Sequence, residues 1–213
     1  LQSSSLLVAL SGKVPATPFA MIARARDDVP RLETALDGFG YYQNKVAITI
    51  GGQALTDPDL PAALDRIAAG TEVAVAVAID KGPLYHLGTI RIDGSLPDAE
   101  RAALGLRSGD RAVASDVLDA QSRLLNALQE DGYALARVET PVAFADDGKH
   151  EINLTYKVDA GRQVRIGDIR FDGLADVNET FARKSLTVKS GDPYKPSAIE
   201  AARRALAGLG VFS

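Results

Sequence analysis

The sequence predicts an α+β fold of tandem β-α-α-β-β modules, each a three-stranded mixed sheet covered by two helices. Three observations support this prediction: a segment that recurs 79 positions later, runs of alternating apolar residues typical of strands, and apolar residues at helical spacing between those runs. Because three strands alone leave the apolar face of their sheet in water, the helices are expected to cover it.

The repeat is clearest between residues 79–94 and residues 158–173. Seven of the sixteen aligned positions are identical, and they are Asp80/Asp159, Gly82/Gly161, Gly88/Gly167, Ile90/Ile169, Arg91/Arg170, Asp93/Asp172 and Gly94/Gly173. A second motif, LDGFGYY at 36–42, returns as LAGLGVF at 206–212 and is echoed by DGY at 131–133. The chain is therefore a tandem of modules of about 80 residues.

These repeats predict three modules. The first covers residues 1–80, with an incomplete opening strand and an extra helix near 56–69. The second covers residues 81–160, and the third covers residues 161–213 and lacks its last strands.

The middle module can be assigned in full. A helix-opening Pro97, an N-cap serine at 115 and the Asp147-Gly148 hairpin signal mark its element boundaries. The predicted elements are a strand over 85–93, a short helix over 96–106, a second helix from 115 to about 132, and strands over 133–144 and 152–158.

The first module follows the same order. Helical spacing runs from Phe19 to Gly38, and Pro30 predicts a new helix or a kink inside it. Alternating apolar residues predict strands over 46–50 and 73–79.

Composition excludes several classes of function. Apolar residues make up 46% of the 213 residues and charged residues 24%, which is typical of a folded chain. The net charge is −4 with both signs interspersed, so nucleic acid is not an expected partner. The absence of cysteine excludes thiolate metal sites and cysteine nucleophiles, and no run of apolar residues is long enough for a membrane helix.

No catalytic, metal-binding or cofactor-binding residues are predicted. His86 and His150 have no partner at ligand spacing. The aspartates at 57, 59 and 65 lack a calcium-loop glycine, and Gly51-Gly52 lacks the rest of a phosphate loop.

Three recurring motifs resemble those of polypeptide-transport-associated (POTRA) domains. They are the strand junction G-x(5)-G-x-I-R-[IF]-D-G at 82–94 and 161–173, the SGD tripeptide at 108–110 and 190–192, and the helix-ending G-[FL]-G-[YV]-[YF]. Together with ALDGFGYYQNKV in the first module, they are most similar to the TamA type of outer-membrane assembly factor. The resemblance spans nearly the whole chain.

The resemblance implies a non-enzymatic periplasmic arm of an outer-membrane β-barrel protein in a Gram-negative envelope. The implied partners are unfolded or β-rich outer-membrane client proteins, an inner-membrane-anchored partner subunit and the protein's own C-terminal membrane barrel. The alternatives are the POTRA region of a two-partner-secretion transporter or of a general barrel-assembly subunit. From another class, small regulatory ligand-binding modules of a cytoplasmic enzyme stay open.

An unpaired strand edge offers backbone donors and acceptors to an extended client, a mode of binding called β-augmentation. Pro141 cannot donate to a ladder, so it places the strand 133–144 at an edge or a bulge. The predicted client-binding residues are Arg137, Val138, Glu139 and Thr140 in the second module and Lys45, Val46, Ala47 and Ile48 in the first. The alternative is an edge whose proline and charges only prevent aggregation.

The Gly-aromatic pairs allow two interpretations as well. Gly40-Tyr41-Tyr42 and Gly132-Tyr133 could present rings to clients, but a glycine after a helix usually supplies a left-handed C-terminal cap. The repeated Asp-Gly after each first strand is interpreted as a turn. The short links between modules predict a semi-rigid arm.

Overall fold

The computed structural model describes residues 2–9, 17–68, 71–172 and 179–208. The helices are α1 (Leu6–Ala9), α2 (Pro18–Gly38), α3 (Leu60–Asp65), α4 (Asp98–Arg101), α5 (Ala114–Glu130), α6 (Glu179–Ser185) and α7 (Pro196–Ala207), with short 3-10 turns at Gln2–Ser4 and Ala102–Leu104. The strands are β1 (Lys45–Ile50), β2 (Gln53–Ala54), β3 (Val75–Asp80), β4 (His86–Ser95), β5 (Arg137–Val138), β6 (Val142–Asp146) and β7 (Glu151–Asp159).

The chain divides into two compact units. The first comprises residues 1–88, 108–115 and 145–152, and the second comprises residues 89–107, 116–144 and 153–213. Within the described ranges, no helix has both the length and the apolar character that crossing a bilayer requires.

In the first unit, α2 packs on a sheet with the strand order β2-β1-β3. Thr17 caps the helix, since its Oγ1 accepts the Ala20 N–H at 3.2 Å, and Pro18 occupies the first turn, where its missing N–H costs nothing. The buried residues of α2 recur every three or four positions and meet the buried row of β1. The core consists of Ile22, Ala25, Leu32, Leu36, Val46, Ile48, Ile50, Leu60 and Leu64.

A buried carboxylate fastens the N-terminal segment to α2. Asp28 is fully buried and accepts the Ser5 hydroxyl at 2.6 Å, the Leu6 N–H at 2.6 Å and the Leu7 N–H at 3.0 Å. These bonds offset the cost of burying the charge, and they satisfy backbone donors at the start of α1.

The second sheet has the strand order β4-β7-β5, and β6 also pairs with β7. Alternate side chains of β7 are buried, as the strict alternation of its sequence predicts. In the second unit, α5 lies close to β7, since the Tyr156 hydroxyl donates to the Val117 carbonyl at 2.9 Å. The buried face of this helix carries Ala120, Leu124 and Leu128. The predicted α+β class is confirmed.

Two predictions about single elements need correction. No new helix starts at Pro30, because α2 continues through this residue, which lies on the exposed side of the helix, so solvent can satisfy the carbonyl that the proline leaves without a donor. The alternative of a kink at Pro30 stays a prediction. The predicted strand over 133–144 is two strands, β5 and β6, separated by residues 139–141, because Pro141 interrupts the ladder.

The third module differs from the middle one. Residues 161–172 contain no assigned strand, and one isolated antiparallel bridge joins Arg165 to Pro193. Gly173 and the end of the LAGLGVF motif lie outside the described residues. The division into modules at 80 and 160 stays a prediction.

Candidate functional site: strand edges and module junctions

The predicted edge at Arg137–Thr140 consists of β5 and the two residues after it, and β5 ends the strand order of its sheet. The Glu139 N–H donates to the Lys157 carbonyl of β7 at 3.0 Å. Since backbone groups alternate in direction along a strand, the N–H groups of Val138 and Thr140 point away from β7. Two donors are therefore directed outward at this edge.

One acceptor of the same edge is occupied by the chain itself. The Gln121 Nε2 on α5 donates to the Val138 carbonyl at 2.8 Å. The sequence offered a signal for this contact, because Gln121 is the polar exception in the apolar series of its helix. Sequence reasoning did not assign it a role. The side chain of Val138 is buried, so only its backbone is available at the edge.

Beyond Pro141 the edge becomes more apolar. Val142 is 43% exposed and Phe144 is 66% exposed on β6. Side chains of this kind beside outward backbone donors fit an extended, alternately apolar peptide better than they fit water.

The other predicted edge, Lys45–Ile48, belongs to the central strand β1, but these four residues have a strand partner on one side only. All of β1 pairs with β3, whereas β2 pairs only with Thr49 and Ile50. The Gly51 N–H donates to the Ala74 carbonyl of the β3 side at 2.8 Å, which fixes the alternation along β1. The backbones of Val46 and Ile48 therefore face away from β3, while their side chains lie in the core.

Four backbone hydrogen bonds, together a junction circuit, connect the start of β4 to the end of α2 and to residues 109–112. All of these residues lie within the first unit. The Tyr85 N–H donates to the Gly40 carbonyl at 2.8 Å, and the Tyr85 carbonyl accepts the Ala112 N–H at 3.0 Å. Leu87 makes two more bonds of 2.7 Å with the SGD tripeptide at 108–110. The SGD motif thus positions the first strand.

The ring of Tyr85 fills this first junction. It is fully buried and meets the rings of Tyr42 and His150 edge-on, each at 5.4 Å between centroids. Its hydroxyl donates to Asp147 Oδ1 at 2.6 Å. Burial, and then the hydrogen bond to Asp147, raise the pKa of Tyr85 to about 12.

The same circuit recurs at a second junction, which lies within the second unit. The Val164 N–H donates to the Gly132 carbonyl at 2.9 Å, and the Val164 carbonyl accepts the Tyr194 N–H at 3.1 Å. Ile166 makes two bonds of 2.8 Å with the SGD tripeptide at 190–192. The sequence repeat therefore encodes a repeated junction.

The second junction has no ring at the position of Tyr85. Val164 stands there, and a cavity of about 330 Å³ lies beside it. The cavity is lined by Asp131, Gly132, Gln163, Val164, Arg165, Pro193 and Lys195.

Glycines of the repeated motifs have two different roles. Gly40 and Gly132 follow helices with φ of 87° and 93°, the left-handed conformation that the sequence predicts for them. Gly94, interpreted as a turn residue, instead lies inside β4, where an added Cβ would overlap the Val158 carbonyl oxygen. Close backbone approach explains that glycine.

Some of the residues considered for metal binding take part in hydrogen bonds of the fold. The His86 N–H donates to the His150 carbonyl at 3.0 Å, so the two histidines are neighbours across the sheet, and Asp57 Oδ1 accepts the Asp59 N–H at 2.9 Å in a turn. In the part of the chain that the structure describes, no three His, Asp or Glu side chains are grouped to hold a metal ion.

Known proteins resemble this chain in both sequence and fold. Outer membrane protein assembly factor BamA of Nitratidesulfovibrio vulgaris is 24% identical over 148 residues, which is 66% of this chain and 19% of that protein. BamA of Neorickettsia risticii is 24% identical over 144 residues, with the same coverage of both chains. The chain thus spans about a fifth of the length of these relatives.

Two solved structures share the fold. The crystal structure of Haemophilus influenzae BamA POTRA domains 3–5 superposes with a TM-score of 0.51 at 23% identity, over 89% of this chain and 71% of that one. BamA of Haemophilus ducreyi lacking POTRA domains 1–3 gives 0.52 at 21% identity, over 61% and 25%.

The profile of the POTRA family, described as a surface antigen variable number repeat, matches residues 85–161 and 164–213. These residues make up more than half of the chain and include Tyr85, Val164 and both SGD tripeptides. The chain belongs to the POTRA family.

Proposed function

We propose that this chain is the periplasmic binding arm of an outer-membrane β-barrel protein that assembles or translocates β-rich polypeptides, and that clients add a strand to its open sheet edges. Membership of the POTRA family and the BamA relatives support this role. The TamA type, the inner-membrane partner subunit and the protein's own barrel stay predictions. The arm acts by binding, without a catalytic residue or a cofactor.

The observation that carries the proposal is the outward-facing backbone of Val138 and Thr140 at the end of the second sheet. A client strand that pairs there gains backbone hydrogen bonds and covers the apolar side chains of Val142 and Phe144. The backbone of Val46 and Ile48 offers a second edge of the same kind.

Substitution of Gln121 tests this proposal through an expected increase in client binding. Its amide occupies the Val138 carbonyl, which a client strand would otherwise use, so the side chain competes with the client. Gln121→Leu is expected to strengthen client binding, because it frees that acceptor while keeping the size of the side chain.

The experiment measures binding of a synthetic peptide of about ten residues with alternating apolar and polar side chains, the pattern of a barrel strand. Thr140→Pro removes one outward donor and is expected to weaken binding by about tenfold, which corresponds to a net hydrogen bond of about 1.4 kcal/mol. Thr140→Val, the matched control, keeps the N–H and is expected to bind like the parent. Equal binding by all four proteins would show that this edge is not used.

A further inference from the structure

The two junctions can be compared position by position, because the same main-chain bonds occur in both. These bonds match three positions, and they are Gly40/Gly132, Tyr85/Val164 and Ala112/Tyr194. The side chains beside them correspond as well. A Cβ added at Gly40 would lie 3.3 Å from the Leu84 side chain, and one added at Gly132 would lie 3.9 Å from the Gln163 side chain.

Polar side chains around the cavity of the second junction stand where the first junction has apolar ones. The exchanged positions are Phe39/Asp131, Leu84/Gln163 and Val113/Lys195. In the other direction, Pro193 replaces Arg111. A packing defect would be walled by apolar groups, whereas a few convergent polar groups around a space are typical of a ligand site. At about 330 Å³, the cavity lies at the lower end of the volumes of such sites.

The two cations that line the cavity are available to a ligand. The Arg165 Nη1 donates to the Gly191 carbonyl at 2.9 Å, which leaves most of the guanidinium N–H groups unused. Within the described part of the chain, neither Arg165 nor Lys195 forms an ion pair. The one acid of the lining, Asp131, is held by Gln163, whose Nε2 donates to Asp131 Oδ2 at 3.2 Å and to its carbonyl at 2.9 Å. The cavity is therefore complementary to a single negative charge.

The N-terminus of α7, next to the cavity in sequence, is already closed by the chain itself. The carboxylate of Glu130 accepts the Ser197 N–H at 2.8 Å and the Ser197 hydroxyl at 2.6 Å. An anion in the cavity would therefore be bound by the side chains of Arg165 and Lys195 and not by the end of the helix.

The same lining selects a carboxylate with a short apolar stem. A guanidinium matches the planar geometry of a carboxylate in a bidentate pair. Val164, which is half-buried, and Pro193 offer apolar surface to the stem, while the charge of Asp131 disfavours a dianion such as phosphate.

We propose that the cavity of the second junction binds the side chain of an aspartate or glutamate of a partner polypeptide, with its carboxylate between Arg165 and Lys195. The charge preference follows from the lining alone. That the carboxylate belongs to a polypeptide rests on the proposed function.

Titrations followed by NMR test the proposal in the chain of residues 1–213, with the capped pentapeptide acetyl-Ala-Val-Glu-Val-Ala-amide and its Gln counterpart as probes. The Glu peptide is expected to shift the amide signals of Gly132, Val164 and Arg165. The Gln peptide, which is the matched control, is expected to bind at least tenfold more weakly. Equal affinity for the two peptides would overturn the proposal.

Two further probes separate the sources of an anion. Butyrate has a carboxylate and a stem without a main chain, and inorganic phosphate has neither stem nor main chain. Both are expected to bind more weakly than the Glu peptide. Butyrate binding as tight as the peptide would identify a free organic acid as the ligand, and tighter phosphate binding would identify a general anion site. Either result would contradict the proposal.

A matched pair of variants tests the role of the cavity cations. Lys195→Gln is expected to weaken binding of the Glu peptide by about threefold, the effect of an exposed ion pair. Arg162→Gln removes an equal charge from an exposed residue outside the lining and is expected to bind like the parent. Equal weakening in both variants, or none in Lys195→Gln, would overturn the proposal.

A third variant closes the cavity. Val164→Tyr introduces the ring that Tyr85 supplies at the first junction, so it is expected to abolish binding of the Glu peptide. Its urea denaturation curve is expected to show a fold at least as stable as the parent. Binding that persists in the folded variant would contradict the proposed location, and Lys195→Gln decides the matter if the variant does not fold.

The test is separable from that of client binding at β5. Thr140→Pro is expected to leave binding of the Glu pentapeptide unchanged, and Lys195→Gln is expected to leave binding of a barrel-strand peptide without acidic residues unchanged. Loss of Glu-peptide binding in Thr140→Pro would assign that binding to the strand edge and overturn this proposal. Failure of the barrel-strand peptide to bind would count against the proposed function alone.

Discussion

The two junctions share one backbone circuit and differ in what fills it. At the first, the ring of Tyr85 is fully buried against Tyr42 and His150. At the second, Val164 takes the same backbone position beside a cavity of about 330 Å³. The comparison shows that the motif positions the strand through main-chain bonds, whereas side-chain packing determines how tightly each junction is held.

The largest expected difference between the junctions comes from removing these two side chains. Tyr85→Ala is expected to lower the free energy of unfolding by about 3–5 kcal/mol, because it leaves a large cavity in a packed site. Val164→Ala is expected to cost about 1 kcal/mol, since Val164 is half-buried beside space that already exists. Urea denaturation followed by circular dichroism measures both, and equal losses would show that the ring does not distinguish the junctions.

A smaller difference is expected from the glycines that precede each junction. Both Gly40→Ala and Gly132→Ala force a side chain into the left-handed region, at about 1–2 kcal/mol. At Gly40 the new Cβ would also lie 3.0 Å from the Ala112 carbonyl oxygen, whereas at Gly132 the nearest atoms are 3.7 Å away. Gly40→Ala is therefore expected to be the more destabilising in the same denaturation experiment. The reverse order would contradict the closer packing of the first junction.

The smallest effect concerns the Tyr85 hydroxyl and alkaline pH. Tyr85→Phe is expected to cost about 1 kcal/mol near neutral pH, through loss of the bond to Asp147. In the parent, an unfolded tyrosine loses its proton near pH 10 and folded Tyr85 near pH 12, so unfolding releases a proton between these values and stability falls as pH rises through that window.

The phenylalanine variant lacks this proton and is expected to lose less stability between pH 10 and 12. Tyr156→Phe is the comparison in the second unit, because burial also raises the pKa of Tyr156 to about 12. Denaturation curves at several pH values give the slopes, and an unchanged slope in Tyr85→Phe would contradict the assignment.

Local pattern was sufficient to predict most helices and strands. The alternation in β7, the helical spacing in α5 and the glycine caps at Gly40 and Gly132 each depend on residues close together in sequence, so periodicity identifies them. Pro30 and Pro141 show the limit of that reasoning. Helix α2 continues through Pro30, which lies on its exposed side, whereas Pro141 divides a strand.

Describing the predicted edges required both the local sequence pattern and the tertiary structure. Pro141 indicated an outer strand, but the direction of each N–H group depends on which residues pair across the sheet, and the contact between Gln121 and Val138 joins residues on different elements. Neither can be deduced from a single strand.

By itself, the sequence determined the repeat, the α+β class and the order of elements within a module, because these follow from spacing along the chain. Only the tertiary structure decided that the repeated motifs close a main-chain circuit, and that Tyr85 fills one junction while a cavity with charged side chains in its lining remains at the other. Those features depend on which distant groups meet in space, and that is set by the packing of the whole fold.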